Sequence, residues 1–357
     1  MIVKNLLLRN FRNYDHLEVS FDPKINIIIG ENAAGKTNIV EAIHFLSIAR
    51  SFRGAENAEL IENKRQFATI EARVVEDTTN KDIVAILTPS SKKVSCNGKQ
   101  VKKISDLSKL INVIVFQPKD SLMFSDSPLV RRNFLDVNLS KKSPIYLDNL
   151  MVFEKLLRER NAILKNDEID KVQLNVVTEQ LIKVQEVLVK YRQTYVSEIN
   201  SVLSKIITNL KGENQNAHLE YEPFMKIDDK FEANCARAYE RVLESDIKHK
   251  ATQLGIHRED FKMILNGKDI SVQGSQGENR IAVIALKLAP FFLIEDKDKK
   301  PIVVLDDVMS ELDNDHKLRL MKFLEKLEQV FITSTNTKFT NASIYEVKEH
   351  KITRRNV

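Results

Sequence analysis

Residues 30–37 read Gly-Glu-Asn-Ala-Ala-Gly-Lys-Thr and fit the phosphate-binding pattern GxxxxGK[ST]. The members of this loop are Gly30, Glu31, Asn32, Ala33, Ala34, Gly35, Lys36 and Thr37. Glycines let backbone N–H groups turn toward phosphate oxygens, and a following helix presents its positive end there. An apolar run at 25–29 precedes the loop, and a helix is predicted from Lys36 to about Ile48. The stretch predicts an ATP site in which Lys36 reaches the β- and γ-phosphates and Thr37 holds Mg²⁺.

An acidic motif lies much later in the chain, where residues 302–307 read Ile-Val-Val-Leu-Asp-Asp. An apolar strand that ends in carboxylates is the Walker B pattern, and its indication is strong in a chain that also has a phosphate-binding loop. Asp306 is predicted to lie at the strand tip beside Mg²⁺. Asp307 is predicted to orient or deprotonate the water that attacks the γ-phosphate.

A third motif opens a predicted helix at residues 274–280, which read Gly-Ser-Gln-Gly-Glu-Asn-Arg. A serine and a glycine at a helix N-terminus form an anion site. The same residues also fit a capping box, in which Ser275 caps the helix and Glu278 completes the motif. The two interpretations are compatible, because a capping serine can also face a phosphate supplied by a second subunit.

The order of predicted elements indicates an interrupted α/β fold. The 357 residues are too many for one simple core. Strand patterns fill the first part of the chain, glycine-free helical patterns fill the middle, and strands return from about residue 255. The predicted fold is an ABC-type ATPase head formed by 1–125 and 251–357, with a mainly helical lobe at 126–250 inserted. The two head segments are expected to share one sheet.

Within this plan, two long stretches at 146–164 and 172–210 lack glycine and proline and predict an antiparallel helix pair. Asn97-Gly98 and Asn266-Gly267 are hairpin signals, the second joining strands at 261–265 and 269–272. Residues 330–333 are predicted to form the last core strand.

Composition limits the classes of protein to which the chain could belong. Hydrophobic residues make up 43% and charged residues 29%, which is typical of a soluble globular protein. The net charge of +5 permits nucleic-acid binding without requiring it. Cys96 and Cys235 belong to no metal-spaced motif. The sequence shows neither a signal peptide nor a membrane span, so a cytoplasmic location is expected.

The motifs together carry a resemblance. Residues 275–277 stand where ABC-type ATPases have their signature, and 310–313 resemble the D-loop of that class. With the helical insertion, these features resemble SMC-like DNA-repair ATPase heads. More specifically, the chain resembles the RecF family of recombination mediators in the stretches 8–14, 118–136, 255–260 and 306–320.

The sequence departs from the family pattern at a few positions. Lys119 replaces an acidic residue, Asp126 a glycine and Ile256 a proline. Glu278 and Asn279 stand where the family usually has two glutamines. A carboxylate at Glu278 is unfavourable to anions, and it bears on how the signature helix would sense a γ-phosphate.

The resemblance implies a set of partners and roles. It implies ATP and Mg²⁺ as ligands, weak DNA-stimulated ATP hydrolysis, and a homodimer that closes on DNA when each ATP is held between one subunit's loop and the other's Ser275. It implies service at single-strand gaps in recombinational repair and replication restart, where RecR and RecO help RecA to load. The implied catalytic residues are Lys36, Asp306, Asp307 and Ser275.

Several residues keep two interpretations. Gln117 is a candidate Q-loop glutamine for the nucleotide, and Thr335 or Asn336 is a candidate γ-phosphate sensor. Arg131 and Arg132 line a functional surface or form structural ion pairs. Lysines around the first hairpin contact DNA or form an ordinary solvated turn: Lys92, Lys93, Lys99, Lys102 and Lys103. The absence of a base-reading motif predicts sequence-independent binding to single- and double-stranded DNA.

Two other classes of ATP-binding protein have a phosphate-binding loop. A P-loop small-molecule kinase would need an acceptor pocket that no motif indicates. A transporter ATPase subunit, or another ABC-type subunit, would share the signature and D-loop. The long helical middle and the lack of a switch histidine at Thr335-Asn336 disfavour a transporter.

Overall fold

The computed structural model describes residues 1–76, 79–103, 106–296, 299–335 and 341–355. The strands are β1 (Ile2–Phe11), β2 (Tyr14–Ser20), β3 (Lys24–Ile29), β4 (Ala68–Glu76), β5 (Thr79–Leu87), β6 (Lys92–Cys96), β7 (Lys99–Gln100), β8 (Val113–Phe116), β9 (Ala217–Glu222), β10 (Asp260–Leu265), β11 (Lys268–Asp269), β12 (Ile302–Asp306), β13 (Gln329–Ser334), β14 (Ser343–Lys348) and β15 (Lys351–Arg354). The helices are α1 (Lys36–Ile48), α2 (Asn57–Leu60), α3 (Leu107–Leu110), α4 (Pro128–Lys142), α5 (Pro144–Lys165), α6 (Lys171–Lys211), α7 (Phe231–His249), α8 (Ile270–Gln273), α9 (Gln276–Leu293) and α10 (Asn314–Leu324).

The chain divides into two compact units. The first contains Met1–Ser121, Lys205–Asn214 and Arg280–Val357, and the second contains Leu122–Ser204 and Gln215–Asn279. Neither unit is a continuous segment of sequence. The break in the first unit is expected for a head with an inserted lobe, whereas the break in the second unit at residues 205–214 was not predicted.

A six-stranded sheet in the order β15-β14-β3-β13-β12-β8 forms the centre of the first unit. Its strands are parallel except for the β14–β15 pair. β3 is buried along almost its whole length because it lies in the middle of a covered parallel sheet. The sheet contains strands from both ends of the chain, so the prediction that the two head segments share one sheet is confirmed.

An antiparallel sheet in the order β2-β1-β4-β5-β6-β7 completes the first unit. Helix α1 is buried along most of its length, and the core around it includes side chains from both sheets. Gln329 joins the sheets by hydrogen bonds, since its side chain accepts from the Val3 amide at 2.8 Å and donates to the Val3 carbonyl at 2.9 Å. The core of this unit therefore fixes the helix that follows the phosphate-binding loop.

The second unit contains α4, α5, α7, α8 and the first part of α6, together with the small sheet β11-β10-β9. Helix α6 is 41 residues long and covers the stretch 172–210 that was predicted to be helical. Leu181, Leu188 and Tyr195 are buried at seven-residue intervals along it. The described residues include no helix long and apolar enough to cross a membrane.

Three features differ from the sequence predictions. Residues 330–333 are not the last core strand, because β14 pairs in parallel with β3 at the heart of the sheet. Only Lys268–Asp269 forms the second strand of the later hairpin, and a short helix follows at once because Asp269 caps it. The boundaries at 125 and 250 differ from the compact units, which place 251–279 with the helical unit because β10 pairs with β9.

Candidate active site

The phosphate-binding loop joins β3 to α1 and requires glycine at both of its ends. A Cβ atom at Gly30 would lie 2.5 Å from the carbonyl oxygen of Val347. Gly35 has a left-handed backbone with φ 111°, and a Cβ there would lie 2.5 Å from the Tyr14 hydroxyl. Both positions are closed to side chains by neighbouring residues. The loop is thus held between the β1–β2 turn and the end of β14.

Lys36 folds back across this loop. Its ammonium donates to the carbonyl oxygens of Gly30 at 2.8 Å and Glu31 at 2.7 Å. Burial lowers the pKa of Lys36, and the nearby carboxylates of Asp307 and Asp306 oppose that shift. A lysine ammonium held over a glycine loop at the start of a helix is the arrangement that binds a polyphosphate.

Thr37 and Asp306 meet at the carboxyl ends of the parallel strands. The Thr37 hydroxyl donates to Asp306 Oδ1 at 2.9 Å, and the Thr333 hydroxyl donates to the same oxygen at 2.7 Å. Burial raises the pKa of Asp306, and the two hydroxyl donors oppose that shift. A hydroxyl and a carboxylate side by side are oxygen donors suited to Mg²⁺, which takes one or two protein ligands in addition to phosphate oxygens.

Asp307 follows directly in an unusual backbone conformation. Its φ is 52°, in the left-handed region, and its amide donates to the Thr333 hydroxyl at 2.9 Å. The Ser310 hydroxyl donates to its carbonyl at 2.7 Å. The turn therefore holds the second carboxylate out of line with β12, near enough to Lys36 to affect the pKa of that ammonium.

Gln117 lies at the end of β8, and its contacts were not predicted. Its side-chain Nε2 donates to the Phe52 carbonyl at 3.3 Å, and its backbone N–H donates to Asp120 Oδ2 at 2.8 Å. The loop that contains Phe52 also contains Arg53, which donates to Asn38 Oδ1 at 3.4 Å. Arg53 and Thr333 were not predicted from the sequence. Thr333 could have been found as the polar residue at the carboxyl end of a core strand, whereas no spacing marks Arg53.

Ser275 forms the capping box that the sequence predicted. Its hydroxyl accepts from the Glu278 amide at 3.2 Å, and the Glu278 carboxylate accepts from the Ser275 amide at 3.0 Å. Ser275 belongs to the second unit, whereas Arg280, one turn later, belongs to the first and contacts Glu311 in the D-loop segment at 3.2 Å. The in-trans role of Ser275 remains a prediction.

The remaining candidate residues have contacts that bear on their two interpretations. Arg131 is buried and forms a bidentate pair with Asp260 at 2.7 and 2.8 Å, which favours a structural role. Arg132 donates to the Glu259 carbonyl at 2.7 Å, and burial lowers its pKa. Thr335 is exposed, and Asn336 lies outside the described residues. Of the hairpin lysines, Lys92 donates to the Ala49 carbonyl at 2.6 Å, while the other four are exposed.

The motif at 255–260 is also held by internal contacts of the second unit. His257 Nε2 lies 3.0 Å from the Thr252 carbonyl oxygen, and burial lowers the pKa of its imidazole. The exposed Arg258 donates to the Gln253 side chain at 3.2 Å. These contacts explain how the motif is held in place, and they do not identify a ligand for it.

Comparison with known proteins decides the family. The family model described as the RecF/RecN/SMC N terminal domain matches residues 2–355. The chain is 35% identical to the DNA replication and repair protein RecF of Halalkalibacterium halodurans over 364 residues, which cover 98% of each chain. The chain belongs to the RecF family. The RecF of Bacillus subtilis strain 168 is 35% identical over 346 residues, 94% of each chain.

Solved RecF structures agree over the whole fold. The recombination mediator protein RecF with ATPrS, in the RecFOR pathway, superposes with a TM-score of 0.90 at 29% identity, covering 99% of this chain and 98% of that one. The corresponding RecF-ATP structure gives a TM-score of 0.89 at 29% identity, covering 99% and 97%. The predicted RecF resemblance and the ABC-type α/β head with its inserted lobe are confirmed.

Proposed function

We propose that the chain binds MgATP at the loop 30–37 and uses its hydrolysis as a switch in DNA repair. The observation that carries the proposal is the pairing of Thr37 with Asp306 at 2.9 Å, beside the ammonium of Lys36. That set combines a metal-binding hydroxyl, a carboxylate and a phosphate-binding cation. The RecF-ATP structure among the relatives supports the same ligand.

Each residue has a separate task in this proposal. Lys36 exchanges the carbonyls of Gly30 and Glu31 for oxygens of the β- and γ-phosphates. Thr37 and Asp306 would hold Mg²⁺, which neutralises phosphate charge when bound. Asp307 orients a water and accepts its proton as the water attacks the γ-phosphorus and the bond to the bridging oxygen breaks. The products are ADP and inorganic phosphate.

The switch acts on assembly and on DNA. The γ-phosphate of one subunit would meet the Ser275 hydroxyl and the helix N-terminus of a second copy, so ATP favours a homodimer and hydrolysis releases it. DNA contact is assigned to phosphates, with the exposed Lys93, Lys99, Lys102 and Lys103 as candidate donors. In the family's setting, the chain would work in the cytoplasm with RecR and RecO to help RecA load at single-strand gaps.

The test separates binding from hydrolysis. Lys36→Met should abolish ATP binding, because the phosphate-binding cation is lost, whereas Lys36→Arg should bind weakly and hydrolyse poorly. Asp307→Asn should bind ATP as the wild type does while turnover falls at least about a hundredfold, because general-base catalysis contributes about that much. Fluorescent-nucleotide titration and phosphate release, each with and without DNA, measure both. If Lys36→Met binds ATP with wild-type affinity, the assignment of the loop 30–37 as the ATP site is wrong.

A further inference from the structure

The phosphate-binding loop has two flanks, and the proposed metal site occupies only one. β3 lies between β13 and β14 in the sheet. Asp306 ends β12, beyond β13, and so marks the metal and γ-phosphate side. β14 runs parallel to β3, with Glu346 opposite Ile29, so its carboxyl end reaches the same edge of the sheet. A nucleotide with its γ-phosphate at Asp306 therefore extends its nucleoside toward the β14 flank.

The turn on that flank has two consecutive residues in the left-handed backbone region. Glu349 and His350 connect β14 to β15, and their φ angles are 50° and 61°. Two-residue hairpin turns with two left-handed residues favour Asn-Gly, because most side chains are strained there. The chain instead presents an exposed imidazole at the second position. Such strain beside a ligand loop is a reason to look for a function of the side chain.

A chain of hydrogen bonds fixes this imidazole against the loop. Arg53 can only donate, so Asn38 accepts from it through Oδ1 and donates its own Nδ2 to Asn13 Oδ1 at 2.7 Å. Asn13 therefore directs its Nδ2 toward His350 Nδ1, at 2.7 Å, and toward the Ala34 carbonyl at 3.4 Å. The polarity of the chain makes His350 Nδ1 an acceptor.

The other ring nitrogen then carries the proton. An imidazole that accepts at Nδ1 has its N–H group at Nε2. The Tyr14 ring meets the His350 ring edge-on, with centroids 6.3 Å apart, and the Tyr14 hydroxyl closes the space behind Gly35. The β1–β2 turn and the β14–β15 turn thus form one wall beside the loop, with a polarised donor on it.

We infer that His350 is a nucleoside-binding residue, whose Nε2–H donates to an acceptor on the sugar or purine of the bound nucleotide. Asn13 is the positioning residue that holds the required tautomer. The inference rests on the proposed ATP binding. It adds the two side chains, His350 and Asn13, that would let the site distinguish a nucleoside triphosphate from inorganic polyphosphate.

The experiment compares ATP with inorganic tripolyphosphate, each titrated with Mg²⁺ against the full chain. His350→Gly removes the imidazole and also relieves the left-handed backbone, so the fold should be kept. Its affinity for ATP should fall about fivefold to tenfold, the effect of one hydrogen bond, while tripolyphosphate binding stays unchanged. Glu349→Gly is the matched control, because it relieves the same turn strain and keeps the imidazole, and its ATP affinity should equal that of the wild type.

A further arm uses 2′-deoxy-ATP. If the loss caused by His350→Gly disappears with this nucleotide, the contact is to the sugar, and if it persists the contact is to another part of the nucleoside; both results support the inference. An unchanged ratio of ATP to tripolyphosphate affinity in His350→Gly overturns it while leaving the loop assignment intact. Failure of the wild-type chain to bind either compound overturns the proposed function itself.

Discussion

The carboxyl group of Asp306 is unfavourably placed for the nucleotide-free protein. Only 7% of the residue is exposed, and burial raises the pKa of its carboxyl group. A carboxyl group whose folded pKa is raised contributes most to stability below that pKa, and its contribution declines as pH rises through it. At neutral pH the charged form therefore costs free energy, which a bound Mg²⁺ would offset.

Asp306→Asn should separate stability from function. The amide keeps an oxygen that accepts from Thr37 and Thr333 but removes the buried charge, so the nucleotide-free chain should be more stable than the wild type. The gain over the wild type should be larger at pH 8 than at pH 5. ATP hydrolysis should be lost. Urea unfolding at both pH values and a phosphate-release assay measure these effects, and a variant less stable than the wild type at pH 8 would contradict the argument.

Some residues of the site could be predicted from the sequence, and others could not. Gly30, Gly35 and Lys36 were accessible because a polyphosphate loop dictates their types and spacing. Thr333 was marked only by its place at the carboxyl end of a core strand. Arg53 was not accessible, because its contact with Asn38 forms only in the folded chain. Asn13 belongs to the same class, since its contacts to Asn38 and His350 span 25 and 337 positions.

Among the elements, α9 is joined to the end of β8 by a buried ion pair. The ammonium of Lys287 pairs with Asp120 and donates to the Val115 carbonyl at 2.9 Å. Burial lowers the pKa of Lys287, and the Asp120 carboxylate opposes that shift. Asp120 also accepts from the Gln117 amide, so the pair fixes the segment that contains the candidate Q-loop glutamine.

Lys287→Met should destabilise the chain by about 3–5 kcal/mol, because it leaves the buried Asp120 carboxylate without its cation. Adding Asp120→Asn should recover part of the loss, because the amide oxygen still accepts from Gln117 and no charge remains. Lys322→Met, on the exposed side of α10, is the matched control and should change stability by less than about 0.5 kcal/mol. Urea denaturation measures these chains together with Asp120→Asn alone, and additive losses in the double variant would exclude the pair as the cause.

Element types were more predictable than element partners. Helical periodicity identified α6 and continuous apolar runs identified β3 and β12, since those signals are local. The membership of β10 in a separate sheet was missed because strand pairing is decided by residues far away in sequence. The last seven residues of α6 belong to the first unit, and a continuous helix has no compositional break to mark such a boundary.

For the whole molecule, the proposed dimer has a complementation test. Ser275→Arg should block ATP-dependent pairing, because the larger side chain fills the place of the partner's γ-phosphate, while ATP binding survives. Mixed with Lys36→Met, it should regain partial pairing, since one composite site then contains both Lys36 and Ser275. Sedimentation in ATP and in ADP measures the pairing. Ser275→Ala is the control for loss of the cap alone, and dimerisation of Ser275→Arg at the wild-type level would limit Ser275 to capping α9.

DNA binding should depend on salt and not on sequence. A phosphate-directed contact by several lysines loses affinity steeply as salt rises, with a slope of about −0.9 per neutralised phosphate of duplex DNA. Reversal of Lys99, Lys102 and Lys103 to Glu should weaken binding and reduce that slope. Reversal of three exposed lysines on the second unit, Lys165, Lys171 and Lys183, is the control for net charge. Equal effects of the two triple variants would remove the hairpin as a specific contact.

The pairing of β3 also has a consequence for the synthesis of the chain. Both neighbours of β3 come from Gln329–Ser334 and Ser343–Lys348, about three hundred residues later. While the ribosome synthesises the residues between β3 and β13, the strand that leads into the nucleotide loop has neither hydrogen-bonded neighbour. A message truncated before β14 would release a chain with one apolar strand edge open, which is a template for aggregation. Translation must therefore have passed β14 before the nucleotide loop can be held in its folded form.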